Sequence, residues 1–102
     1  MITHMVRLGI RRDVSTATIE RVLAALVAQR TRFPGIRWFA GGAYSSTEGL
    51  AKQFTRGFVM SFGGAAARYT YLKHPGHEWV KKQVLAKLDD GLECVVAFDF
   101  ES

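Results

Sequence analysis

The residues with the most chemical potential lie together in Tyr71-Leu72-Lys73-His74-Pro75-Gly76-His77, which holds two of the three histidines and one of the three tyrosines. An imidazole, with an ordinary pKa of about 6.5, takes or gives a proton near neutral pH. A phenol, with a pKa of about 10, stays protonated there and can donate to a developing oxyanion or enolate. A base beside a neutral donor is enough for proton abstraction next to a carbonyl. The His74-Pro75-Gly76-His77 spacing also suits half of a metal site, with His4 as a third ligand if the fold brings it near. No cysteine or acidic cluster accompanies these histidines, so acid–base chemistry without metal or cofactor fits the residue types better. A purely structural reading stands beside it, with Tyr71 packed in the core and His74 capping the turn.

Two helices must present this segment. Gly63-Gly64 breaks the chain, Ala65 to Leu72 reads as a short alanine-rich helix, and Pro75 interrupts it. Gly76 to Leu88 then reads as another helix with Val80, Val84 and Leu88 inward. His77 falls in its first turn, where the positive end of the helix dipole disfavours imidazolium. Upstream, Ile2, His4, Val6, Leu8 and Ile10 share one face of a strand, with Met5 and Arg7 on the other. Ser15 is placed to cap a helix carrying Ile19, Val22, Leu23, Leu26 and Val27, with Arg30 and Arg32 near its end and Phe33-Pro34-Gly35 stopping it. Ile36 to Ala43 and Phe54 to Phe62 read as strands separated by a polar loop. Asp89-Asp90-Gly91 reads as a turn, and Cys94 to Phe100 as a last strand.

This order, β-α-β-β-α(α)-β, is a ferredoxin-like α+β pattern: a four-stranded antiparallel sheet with helices on one face. The other face, expected to carry Met5, Val59, Val95 and Ala97, then needs cover, and a homodimer joined through the sheet faces supplies it. The 102 residues suit one domain spanning 1–102. A single cysteine, Cys94, and the lack of a signal-like N-terminus point to the cytoplasm, and no run of about 20 apolar residues calls for a membrane. The net charge of +5 is scattered, with Arg11-Arg12 and Lys81-Lys82 the densest groups. Arg56-Gly57-Phe58 opens like an RNA-binding signature, but Val59-Met60-Ser61 supplies no second stacking aromatic, and the first strand offers none. Nucleic acid is therefore not an expected partner.

Arg56 is the odd member among Phe54, Phe58, Met60 and Phe62 on the third strand. It either holds a substrate carboxylate or thioester oxygen, or turns outward at a bulge, or pairs with an acid. Phe54, Phe58, Trp79, Phe98 and Phe100 fit core and interface better than a substrate box.

The chain resembles the stress-responsive A/B barrel (Dabb) family over nearly its whole length. The resemblance is carried by Ile-Thr-His-Met-Val-Arg-Leu (2–8), Phe33-Pro34-Gly35-Ile36, Phe39-Ala-Gly-Gly42 and Gly49-Leu50. It continues through Phe54-Thr55, Phe58-Val59 and Phe98-Asp99-Phe100, and most specifically through Tyr71-Leu72-x-His-Pro-x-His77. It implies a dimeric α+β barrel in which two four-stranded sheets close on each other. Family functions divide. Some members are stress-induced, very stable oligomers, and the olivetolic acid cyclase type performs an intramolecular aldol condensation on a linear polyketide thioester. By that resemblance Tyr71 and His77 form the catalytic pair. His4, Arg56, Phe58, His74 and Trp79 are the candidate substrate-binding residues. The expectation is a small cofactor-free enzyme acting on a carbonyl-rich, polyketide-like molecule. The alternative is a non-catalytic stress-responsive or ligand-binding dimer.

Overall fold

Strict alternation at the N-terminus produces β1 (Ile2–Leu8), which buries Ile2, Val6 and Leu8 and half-buries His4. The computed structural model describes residues 1–88 and 94–102, so the turn expected at Asp89-Asp90-Gly91 lies outside the described residues. Helix α1 (Thr16–Arg32) begins where the Ser15 side chain accepts the Thr18 backbone N–H, and Arg30 and Arg32 sit in its last turn. Its buried residues are Leu26 and Gln29, with Val22, Leu23 and Ala25 packed beside them. Val27, expected inward, is 48% exposed. It lies about 100° around the helix from Leu26, and the 22–26–29 stripe takes the core side instead.

Strands β2 (Ile36–Ala43), β3 (Arg56–Phe62) and β4 (Val95–Glu101) complete the sheet, and helices α2 (Ala65–Lys73) and α3 (Pro75–Leu85) follow β3. The sheet order is β2-β3-β1-β4, with every neighbouring pair antiparallel. Phe54, expected within the third strand, precedes it, and the Arg7 guanidinium lies 5.6 Å above its ring. Leu88, expected on the last helix, lies past its end, buried and bridged to Ile10. Met60, Phe62, Tyr71, Val80 and Val84 lie in the core between sheet and helices. Helix α2 comes very close to the start of β2: a methyl group at Gly35 would lie 2.6 Å from the Ala67 Cβ.

The second sheet face has no helix over it. Directly paired residues share a face, and the pairs Met5↔Phe98, Met5↔Val59 and Thr3↔Phe100 define it. Met5, Trp38, Phe98 and Phe100 are all exposed there. Val59 is on the open face as expected, whereas Val95 and Ala97 are not. They pair with Leu8 and Val6 and so belong to the helix side. In a strand of period two, one position of offset exchanges the two faces, and Val96, Phe98 and Phe100 are the outward set.

Candidate active site

The site begins at the corner between α2 and α3. His74 has an extended backbone, ends α2 and caps α3, where its Nδ1 accepts the Gly76 N–H at 2.9 Å ahead of a helix with Pro75 in its first turn. Its ring stands edge-on to Phe33, 4.7 Å between centroids. His74 thus acts as a cap at the surface. That fixed corner turns Tyr71, on the last turn of α2, and His77, on the first turn of α3, towards each other.

Their rings lie 4.4 Å apart. Tyr71 is only 1% exposed, with Phe33 edge-on at 5.1 Å and Phe62 at 5.4 Å. Gln29, buried on α1, donates from Nε2 to the Gly76 carbonyl at 3.0 Å and so ties the corner to the longest helix. Among the described residues, the His77 Nδ1 is buried without a hydrogen-bond partner, as is the Gln29 Oε1. Such orphaned atoms are uncommon in folded proteins and are positions that a ligand or ordered water can fill.

Burial sets the electrostatics of the pair. It pushes the Tyr71 pKa up to about 12, because the phenolate loses its hydration. It also holds His77 below its ordinary value. The Lys81 charge pushes the same way, as does His4 whenever it is protonated, and Glu78 opposes them. Near pH 7 the pair is therefore a neutral imidazole beside a neutral phenol. The helix dipole expected to keep His77 neutral is at most a supplement to desolvation.

His4 points into the same layer from β1, its ring 6.5 Å from Phe58 and 6.4 Å from Phe62. Its Nδ1 lies 2.5 Å from Asp99 Oδ1, and the Arg68 guanidinium donates to Asp99 Oδ2 at 3.1 Å. Sequence reasoning named neither Asp99 nor Arg68 as site residues. Two signals were available: a carboxylate set between two phenylalanines of a largely apolar strand, and an arginine three residues before Tyr71, on the same face of α2.

Two expected substrate contacts lie elsewhere. Arg56 starts β3 opposite Leu8, four residues from Met60, which pairs with His4. At about 3.3 Å per residue it sits roughly 13 Å along the strand from that position. Its guanidinium pairs with Glu20 of α1 at 3.2 Å, which answers the cost of a shielded cation. Trp79 is 60% exposed and lines an outer groove with Arg21, Val22 and Gln83. It lies about 200° around α3 from His77, so the two cannot face one site. Phe58, by contrast, is buried, stacked on Phe39 at 5.5 Å and edge-on to His4. Two concavities, about 590 Å³ on the open sheet face and about 530 Å³ under the loop carrying Tyr44 and Leu50, are not lined by Tyr71 or His77. Among the described residues, no group of three His, Cys, Asp or Glu side chains gathers as a metal site.

An antiparallel sheet in the order β2-β3-β1-β4, with its helices on one side, places the chain in the ferredoxin-like α+β class. Within that class the chain belongs to the stress responsive A/B barrel domain (Dabb) family, whose model matches residues 2–102. It is similar to a dimeric ferredoxin-like protein of unknown function from Jannaschia sp. CCS1, with 24% identity and a TM-score of 0.90 over 99% of this chain and 98% of that one. A hydroxynitrile lyase from Passiflora edulis is 16% identical with a TM-score of 0.87, covering 97% of this chain and 90% of its own. SnoaB, a cofactor-independent oxygenase from Streptomyces nogalater, is 17% identical with a TM-score of 0.78, covering 99% and 91%. No curated protein matches the chain.

Proposed function

We propose that this chain is a small acid–base enzyme, working without a cofactor, that folds a carbonyl-rich, polyketide-like chain into a ring by an intramolecular aldol-type condensation. The observation that carries the reading is the neutral Tyr71–His77 pair with the orphaned, buried Nδ1 of His77. His77 takes a proton from a carbon beside a carbonyl, leaving an enolate. The enolate carbon attacks a distant carbonyl of the same chain, so a C–C bond forms as a C=O π bond breaks. Tyr71 stabilises the resulting alkoxide by hydrogen bonding, and the proton held by His77 returns to it. Holding a flexible chain with its two ends together supplies much of the rate gain. Of the expected binding residues, His4 shares Phe62 with Tyr71 and acts on His77, and Phe58 packs edge-on to His4. The likeness in fold to a hydroxynitrile lyase and a cofactor-independent oxygenase supports a catalytic reading.

The working unit in this proposal is a homodimer closed through the open sheet faces, built from single domains spanning 1–102. The exposed stripe of Met5, Trp38, Phe98 and Phe100 supports it, since apolar patches of this kind mark interfaces. The dimeric description of the Jannaschia relative supports it too. The unpaired, buried Cys94 fits a reducing compartment such as the cytoplasm.

One observation favours a second reading, a non-catalytic ligand-binding or stress-responsive dimer. Tyr71 is packed to 1% exposure, and the concavities of about 590 and 530 Å³ lie away from it. Turnover decides between the two. Linear β-polyketide thioesters are incubated with the wild-type protein, His77→Ala and Tyr71→Phe. Cyclisation by the wild type that both variants lose supports the enzyme. Turnover that neither substitution changes overturns the pair's role.

A further inference from the structure

Asp99 has two carboxylate oxygens and divides them. Oδ1 meets the Nδ1 of His4, and Oδ2 accepts from Nη1 of Arg68. An ionised carboxylate is only an acceptor, so Nδ1 of a neutral His4 must carry the ring proton and Nε2 must hold the lone pair. That is the arrangement by which a carboxylate makes an imidazole ready to receive a proton at its far nitrogen. All three side chains are partly shielded, His4 at 12% exposure, Asp99 at 26% and Arg68 at 32%, so water competes less with these contacts than at an open surface. Arg68 reaches Asp99 from α2, one turn before Tyr71, and ties the element that carries the phenol to the edge strand that carries the carboxylate.

We propose that Arg68 is a positioning residue: by holding the second oxygen of Asp99 it locks the carboxylate that fixes the tautomer of His4, and so makes His4 a second proton-handling group beside Tyr71 and His77. This rests on the acid–base reading above, but the tautomer itself can be observed without any substrate. With Arg68 gone, Asp99 is free to rotate on a half-exposed edge strand, and both ring nitrogens of His4 become open to the proton.

The test is nitrogen-15 NMR of the histidine rings in the full-length protein, comparing wild type, Arg68→Met and Arg68→Lys. The wild type should show His4 as one tautomer, protonated at Nδ1. Arg68→Met should show a mixture of tautomers, and Arg68→Lys should restore most of the single form. Where cyclisation is measurable, Arg68→Met should lower kcat about tenfold, less than the loss of an acid–base group itself, with KM little changed. Should Arg68→Met fold poorly, Arg68→Gln replaces it in both measurements. A single Nδ1-protonated His4 in the uncharged variant, or an unchanged kcat, overturns the proposal. If the wild type turns over nothing, the cyclase reading fails while the ring spectra still decide the role of Arg68.

Discussion

Replacing Tyr71 by phenylalanine separates packing from chemistry. The ring is held by Phe33 at 5.1 Å, Phe62 at 5.4 Å and His77 at 4.4 Å, all of which a phenylalanine keeps. The hydroxyl makes no hydrogen bond to any described residue, so its removal forfeits none of the roughly 0.5–1.5 kcal/mol that such a bond contributes. Stability at pH 7 should therefore change by less than about 0.5 kcal/mol, whereas Tyr71→Ala, by emptying the ring's space, should cost about 3–5 kcal/mol. Activity should respond the other way. Loss of one oxyanion donor removes about 2.7–4 kcal/mol of transition-state stabilisation, so kcat should fall about 10²–10³-fold. Alkaline pH gives a third signature. Burial raises the folded pKa of Tyr71 to about 12 from 10, so the stabilising neutral form is fully present below pH 10. It is lost as the unfolded chain ionises first, costing about 1.4 kcal/mol by pH 11. Urea unfolding at pH 7 and pH 11, beside steady-state kinetics, reads all three. A Phe variant that loses more than about 1.5 kcal/mol at pH 7 with an intact kcat would mean that the hydroxyl is structural.

Burial also depresses the His77 pKa, with the opposite consequence. The stabilising neutral form is present above pH 6.5 and is lost as pH falls through the folded value, because the unfolded chain takes up the proton more readily. Unfolding at pH 7 and pH 5 should show a steeper acid loss for wild type than for His77→Gln, and equal slopes would contradict this. Gly35→Ala places a methyl 2.6 Å from the Ala67 Cβ and should destabilise by about 1–3 kcal/mol in thermal unfolding, with no loss at all if α2 shifts freely. Phe98→Glu puts a charge among the exposed apolar residues of the open sheet face and should convert a dimer to monomers in light scattering. A wild type that is already monomeric at micromolar concentration removes that interface.

Much of the fold was legible because period two and period 3.6 are strong signals when one face is buried. The alternation of β1, the Ser15 cap, the Phe33-Pro34 stop and the Tyr71–His77 corner all follow from local chemistry. The misplacements share a cause. Val27, Val95 and Ala97 are apolar residues whose type does not say which side they take, and only pairing partners or the neighbouring helix decide it. Arg56 shared a face with Phe58 in the sequence, correctly, but distance along the strand put it beside Glu20 rather than the pair. Asp99 and Arg68 acquire meaning only when β4 lies against β1 and α2 crosses above them. Those contacts span 95 and 31 positions, beyond the reach of any local pattern.

Proton abstraction itself is the central claim, and deuterium exchange measures it most directly. The carbon-bound hydrogens of a β-polyketide thioester exchange unaided in deuterated buffer, and NMR at early times and mildly acidic pH follows each position against that background. The wild type should accelerate exchange at the carbon beside the reacting carbonyl, and His77→Ala should return it to the rate in buffer alone. Equal acceleration by both proteins, or by neither, would contradict His77 as the base.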